Sequence, residues 1–292
     1  MRYAYVNGKI LPDHKAVISI FDRGIVLGDG LFETLRAVEF VPEFFNAHYS
    51  RLKRSARILR IKVPLSRQEL GRIVHTLCSK SRVGDAVVRI TLTRGPYTGG
   101  LSIDKKVTPS LFVTAGPVTG LPHSIYTKGV KVAVSTVSKT AAAGATHAVK
   151  TTNYLANILA RSEADSKNCF EALLLGEKGE IAEFSTASFF CVVNQRIVTP
   201  PVSLGILPGI TRQEIMKILA KNELPCHEKV LFLKDIPRMT EAFLTSSVRG
   251  IVPVIKIQGR TIGKEQVGPF CKELQRLYQE ERKKSRMRFQ SA

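Results

Sequence analysis

Apolar and polar positions alternate at the start of the chain. In YAYVNGKIL (3–11) two short apolar runs flank Asn7-Gly8, a dipeptide that supplies the positive φ angles of a tight hairpin. LFETLRAV (31–38) reads as a strand. Over residues 46–60 the apolar spacing lengthens to three and four, with Leu52, Ala56 and Leu59 on one side. That period predicts an amphipathic helix with a very basic outer face. SRQELGRIVHTLCSK (66–80) predicts a second helix, opened by a capping box of Ser66 and Glu69. DAVVRITLTR (85–94) and SLFVTAG (110–116) predict strands. The helices of this half are grouped rather than alternating with strands.

GPVTGLP (116–122) is rich in Gly and Pro and marks the expected domain boundary. The expected division is a small domain over 1–116, a linker over 117–122 and a larger domain over 123–292. Beyond the linker, VKVAVSTV (130–137) predicts a strand and YLANILARSEA (154–164) a helix. EALLL (171–175) and SFFCVV (188–193) predict strands joined through the GEKGE turn. A helix over 211–221, the strand EAFLTSS (241–247) and a hairpin in PVIKIQGRTIG (253–263) follow. A final helix is expected from about Lys264, with Phe270, Leu274 and Leu277 on one face. No internal repeat is visible. There is no regular βαβ rhythm, no glycine fingerprint after an early strand and no P-loop, which excludes a doubly wound dinucleotide-binding fold.

At 292 residues the chain can form one large domain or two ordinary ones. Apolar residues at 44% and charged residues at 23% are globular proportions. No apolar run approaches a membrane span, and MRYAYVNGKI lacks the layout of a signal peptide. The expected location is therefore the cytoplasm. The five cysteines are scattered and odd in number, without a CxxC pair. They are expected to be reduced and mostly buried, with no disulfide framework and no metal site. The net charge of +20 raises nucleic-acid binding as a reading. However, only ERKKSRMRF (281–289) is densely basic, and no base-reading motif accompanies it. Nucleic-acid binding is thus the distant alternative, and anionic small molecules suit the charge equally.

Four stretches could carry chemistry. In LPGITRQEIMKILA (207–220) a Pro-Gly break precedes a helix starting at about Thr211. Free backbone N–H groups, the helix dipole, a glycine and a hydroxyl together suit a phosphate, although an ordinary capped helix would look the same. In EIAEFSTASFF (180–190), Glu183 follows apolar residues; it is either a solvent-exposed carboxylate or a buried one with a cationic partner. LTSSVRG (244–250) supplies hydroxyls at a strand end, as a plain turn also would. THAVKTTNY (146–154) adds Lys150 just before a helix. A lysine, a phosphate cup and a carboxylate are what pyridoxal phosphate requires. A lysine that attacks a carbonyl must be unprotonated, which burial beside other cations favours.

The ordered series YVNGKI, SIFDRGIVLGDGLFETLR, HYSRLKRSA, VKTTNYLANILARSEA, EALLLGEKGEIAE, LPGITR, EAFLTSS and PVIKI resembles the class IV (fold type IV) pyridoxal-phosphate enzymes. These are the branched-chain aminotransferases, D-amino acid aminotransferases and aminodeoxychorismate lyases. The resemblance runs from Tyr3 to about Leu277. It implies an α+β fold in two domains, a small α/β sandwich and a larger barrel-like mixed domain, with the cofactor between them, and a homodimer. It implies Lys150 as the Schiff-base lysine, with Asn153 and Tyr154 after it, and Glu183 as the partner of the pyridine nitrogen. Lys139 is the nearest rival lysine and lacks the following asparagine. The same resemblance gives Arg51, Ile210, Thr211, Ser246 and Ser247 to the cofactor phosphate, Leu207 to the ring, and Phe32 to the substrate pocket.

The chain departs from the family pattern in three places. Phe184 follows the glutamate where a small residue is usual, and Ser188 stands where many members have Asn. TRGPYTGGLSI offers Tyr97 and glycines where D-amino acid aminotransferases have an arginine and a histidine, which argues against D-specificity. Arg36, Arg94 and Arg249 are candidate grips for a substrate carboxylate, and Tyr97 a candidate pocket wall. The expected activity is transfer of an amino group between a branched-chain or similar amino acid and a 2-oxo acid such as 2-oxoglutarate. The alternative is aminodeoxychorismate lyase, releasing 4-aminobenzoate and pyruvate with the same lysine.

Overall fold

Asn7 and Gly8 take φ angles of 43° and 97°, and the turn they form joins β1 (Tyr3–Val6) to β2 (Lys9–Pro12). The structure, a computed structural model, describes residues 2–97, 99–103, 107–119, 121–139 and 149–291. Gly120 of the expected linker and Thr146–Ala148 of the stretch before Lys150 lie outside the described residues. The chain forms two compact units. The first comprises Met1–Thr119, Val149–Asn153 and Arg282–Ala292, and the second Gly120–Ala148 and Tyr154–Glu281.

In the first unit, a short helix α1 (Arg23–Val26) leads into β3 (Gly30–Val38) and β4 (Val41–Pro42). Helices α2 (Phe45–Ile58) and α3 (Arg67–Lys80) follow, then β5 (Asp85–Thr93) and β6 (Ser110–Pro117). The six strands form one antiparallel sheet in the order β2-β1-β6-β5-β3-β4. The capping box of Ser66 and Glu69 is present at the start of α3. Strand alternation sends Leu31, Leu35 and Ala37 of β3 and Val88, Ile90 and Leu92 of β5 into the core. There they meet Leu52 and Ala56 of α2 and Leu70, Val74 and Leu77 of α3. Each buried Leu, Ile or Val among them contributes roughly 1.5–3 kcal/mol.

The second unit opens with α4 (Ser124–Thr127), β7 (Val130–Val134), α5 (Leu155–Ser166), β8 (Glu171–Leu175) and β9 (Ile181–Phe184). Next come β10 (Ser188–Val193), β11 (Arg196–Thr199), α6 (Ile210–Lys221) and β12 (Cys226–Glu228). The chain ends with β13 (Met239–Ser246), β14 (Gly250–Ile257), β15 (Arg260–Thr261) and α7 (Pro269–Gln290). The nine strands make one mixed sheet, β12-β11-β10-β13-β14-β7-β8-β9, with β15 on β14. Val132, Leu173, Ile181, Phe184, Phe189, Leu244 and Val252 pack its core. Ala160 and Ala164 of α5 meet Ala133 and Ala172 of the sheet, because small side chains let helix and strand approach closely. The chain is thus α+β.

Several element limits differ from the sequence expectation. The GEKGE turn leads into β9, a four-residue strand over IAEF, and not directly into β10. All four residues of β9 are buried, so it shows no polar-apolar alternation to read. It is defined by pairing, Leu173 with Phe184 and Leu175 with Ile181. Helix α7 begins at Pro269 rather than near Lys264, as proline suits a first helical turn. Lys150 and its neighbours belong with the first unit, where the sequence division carried them in the large domain. The cause is hydrogen bonding to β3, from Phe32 N to Lys150 O at 2.8 Å and from Thr152 N to Gly30 O at 3.0 Å. The basic tail is the end of α7. Its Arg282 and Arg286 turn inward to the buried Glu43 at 2.7 and 2.5 Å, and Phe289 packs edge-on against Phe45. Lys283, Lys284 and Arg288 stay exposed at its surface.

Candidate active site

The residues after Lys150 explain how the first unit holds it. Thr152 donates its hydroxyl to Gly28 O at 2.7 Å, and Asn153 donates its side-chain amide to the same oxygen at 3.2 Å. Gly28 has φ 65°, and a Cβ there would meet Asn153 Oδ1 at 2.0 Å. Only glycine allows this approach. KTTN and GDG therefore form one clasp along the edge of β3. Lys150 Nζ lies 4.5 Å from the centre of the Phe32 ring, and the Arg89 guanidinium carbon lies 3.5 Å from it. Phe32 and Arg89 share a sheet face because Phe32 pairs with Thr91, two residues along β5.

Glu33 turns to the other side of β3 and meets α2. Arg51 Nε donates to Glu33 Oε1 and Nη2 to Oε2, each at 2.7 Å, and His48 Nδ1 lies 2.7 Å from Oε2. Arg51, His48 and Glu33 are all buried. Burial alone would push the Glu33 carboxyl up, but the charge and hydrogen bonds of Arg51, with His48, hold it down at about 2. Burial depresses the His48 pKa against the opposing pull of Glu33, and the charges of Arg51 and Lys150 depress it further.

The other first-unit candidates are engaged locally. Arg36 makes a bidentate pair with Asp85 at 2.6 and 2.5 Å. Arg94 grips Asp29 at 2.7 and 3.0 Å and donates to Leu59 O and Arg60 O. Burial opposes ionisation of Asp29, but Arg94 and Arg23 hold its carboxyl below the usual range. Tyr97 packs with its ring 5.8 Å from the Arg23 guanidinium and donates its backbone N–H to Phe21 O. Both arginines thus brace the first unit.

In the second unit, Glu183 lies on β9. Its Oε1 is 2.8 Å from Lys139 Nζ, and its Oε2 accepts from Leu207 N at 3.2 Å. A carboxylate held on both oxygens is fixed in direction. Phe184, the departure from the family pattern, is buried and packs against Phe189 with ring centres 5.7 Å apart; its bulk fills the core behind the glutamate.

Helix α6 starts after Gly209, with no side-chain cap and no acidic residue in its first turn. A Cβ on Gly209 would meet Ser188 Oγ at 2.7 Å, so the helix start approaches β10 more closely than a side chain permits. Ser188 pairs with Thr245 of β13, which puts the two hydroxyls on one sheet face. Among the described residues, Thr245 Oγ1 is buried without a hydrogen-bond partner. Thr211 Oγ1 lies 3.3 Å from Tyr278 Oη. The Tyr278 ring in turn lies beside Gly250, which pairs with Ser246. The α6 N-terminus and the Ser246–Gly250 turn therefore share a neighbour. Ile210 is buried, and Ser246 and Ser247 are half-buried. Tyr154 is the residue immediately before α5.

Free N–H groups at a helix start, a glycine cradle, clustered hydroxyls and an unsatisfied buried donor form a donor set that fits a phosphate. Among the described residues, no three His, Cys, Asp or Glu side chains are placed to hold a metal ion. No helix is long and apolar enough to cross a membrane among those residues.

The class IV amino-transferase family model matches residues 30–257. The chain belongs to the class IV aminotransferase family. That family is pyridoxal-phosphate dependent. A Methanocaldococcus jannaschii protein with a provisional branched-chain-amino-acid aminotransferase name is 34% identical, over 96% of each chain. The aminodeoxychorismate lyase of Bacillus subtilis is 29% identical over 95% of this chain and 94% of its own. Among solved structures, the branched-chain amino acid aminotransferase of Escherichia coli superimposes with a TM-score of 0.90. It is 26% identical, and the match covers 96% of this chain and 94% of its own.

Arg89, Thr245 and the Glu33–His48 pair are not among the residues the sequence singles out; Ser188 is, only as a departure from the family pattern. A signal for Arg89 exists: it is the one charge inside the apolar run AVVRITLT (86–93). Its position beside Phe32 depends on the β3–β5 register.

Proposed function

We propose that this class IV chain binds pyridoxal phosphate and transfers an amino group between an amino acid, branched-chain or similar, and a 2-oxo acid such as 2-oxoglutarate. The observation that carries the reading is Lys150, clasped to β3 with its amine over Phe32, in a chain of this family. The cofactor supplies an electron sink for charge developed at the substrate α-carbon. Lys150 is assigned the covalent attachment and, once displaced, the base that takes the α-proton and the acid that returns it. Glu183, oriented by Lys139 and by Leu207 N, is assigned to hold a proton at the ring nitrogen. Ile210, Thr211, Ser246 and Ser247 are assigned to the phosphate, with Arg51 in addition to its two bonds to Glu33 and with Thr245, a buried hydroxyl without a hydrogen-bond partner among the described residues. Leu207 is assigned to the ring, and Tyr154 to the cofactor side of α5.

Phe32 is assigned to the substrate pocket. Arg89 is assigned to grip a substrate carboxylate because it shares the Phe32 ring with Lys150. A homodimer is proposed on the apolar segment Val17–Leu27, where Val17, Ile20, Phe21 and Ile25 are exposed. The relative named aminodeoxychorismate lyase supports a second reading, release of 4-aminobenzoate and pyruvate by the same lysine.

The test is the visible spectrum of purified protein with L-Leu, L-Ile, L-Glu or D-Ala, followed by aminodeoxychorismate. A yellow band bleached by an L-amino acid supports the transaminase. A band unmoved by amino acids, with 4-aminobenzoate formed from aminodeoxychorismate, supports the lyase. A protein that stays colourless with added cofactor defeats both.

A further inference from the structure

Arg249, a sequence candidate for gripping a substrate carboxylate, is turned toward the second unit's own core. Its Nη2 donates to Glu171 Oε2 at 2.9 Å, and Glu171 is fully buried. Glu171 also accepts from Thr186 Oγ1 at 2.7 Å, from Ala172 N at 3.0 Å and from Ser185 Oγ. Arg249 N and Nε both reach Ser246 Oγ at 3.4 Å, and Arg249 Nη2 also reaches Thr186 Oγ1. Its own carbonyl accepts from Tyr126 Oη at 3.0 Å.

Two turns meet at this knot. One is Ser185–Ala187, which follows Glu183 by two residues and is tied to α5 through Asn157 Nδ2 and Ser185 O at 2.6 Å. The other is the Ser246–Gly250 turn, which carries the hydroxyls assigned to phosphate. A buried carboxylate surrounded by donors from both turns leaves each little freedom.

We infer that the Glu171–Arg249 pair is a positioning device that sets the Ser246–Ser247 turn for the cofactor phosphate and does not contact substrate. This rests on the assignment of that turn to the phosphate. It also makes a chemical distinction. A device acting on the phosphate matters for pyridoxal phosphate and not for pyridoxal, which lacks the phosphate.

The experiment measures dissociation constants of both ligands, by absorbance and fluorescence quenching, on full-length wild type, Arg249→Met, Arg249→Lys, Glu171→Gln and Ser247→Ala stripped of cofactor. KM for the amino acid is then measured at saturating cofactor. Expected is a roughly tenfold or greater weakening for pyridoxal phosphate in Arg249→Met and Glu171→Gln, the size of one charge-assisted hydrogen bond. Pyridoxal affinity and KM stay unchanged, and Arg249→Lys recovers part of the loss. Three results overturn the inference: a raised KM with cofactor affinity intact, equal weakening of both ligands, or no change. Ser247→Ala separates this from the underlying assignment. If it too binds pyridoxal phosphate like wild type, the phosphate assignment fails; if it alone weakens, only the positioning role fails.

Discussion

Lys150 Nζ and the Phe32 ring lie 4.5 Å apart, and the Phe32 backbone N–H donates to the Lys150 carbonyl at 2.8 Å. Backbone and side chain of the two residues are therefore registered together. A lysine held this way has its amine fixed over an aromatic face that it shares with the Arg89 guanidinium. Replacing Lys150 by Ala is expected to abolish the yellow cofactor band and lower turnover by at least roughly a hundredfold, the lower end for loss of an acid–base group. Thermal unfolding should change little, because the backbone clasp survives. A variant that keeps both its colour and its turnover would remove Lys150 from the proposed chemistry.

Arg89 shares that ring from the neighbouring strand. Arg89→Leu is expected to raise KM for the amino acid by roughly tenfold to a hundredfold, the size of lost hydrogen bonds to a charged group. Cofactor affinity should hold. Steady-state kinetics with saturating cofactor checks it, and an unchanged KM assigns the carboxylate grip elsewhere.

The Glu33–Arg51–His48 cluster gives stability a pH dependence. The Glu33 carboxyl is held at about 2 against an ordinary 4.5. Its contribution is present above pH 4.5 and is lost as pH falls toward 2, by on the order of 3 kcal/mol in total. His48, whose pKa burial depresses from 6.5, resists a proton that the unfolded chain accepts, so its loss starts at higher pH. Urea unfolding of wild type and Glu33→Gln across the acid range, from roughly pH 5 to roughly pH 3, should show the gap between them shrinking as pH falls. A gap independent of pH would rule out this titration.

Ile20 and Phe21 are 72% and 63% exposed, unusual for large apolar side chains outside an interface. If this segment joins two copies, Phe21→Asp combined with Ile20→Asp should halve the molar mass found by light scattering. Wild type that runs as a monomer at all concentrations would exclude the dimer.

Local signals were enough for much of the fold. Asn7-Gly8 specified its hairpin, Ser66 and Glu69 their capping box, and the three-four spacing of Leu52 and Ala56 the buried face of α2. Each depends on neighbours a few residues away. The order of the family motifs points to Lys150, Glu183 and Thr211 as candidates for the proposed chemistry. Other features rest on partners far along the chain. Strand β9 exists because β8 pairs with it. Arg89 reaches Phe32 only through the β3–β5 register. Arg249 looked available for substrate, yet Glu171, 78 residues away in the chain, takes it inward. Sequence determined which side chains could ionise, cap or pack. Tertiary structure decided which charges meet, because strand register and burial, unlike local period, are set by the whole sheet.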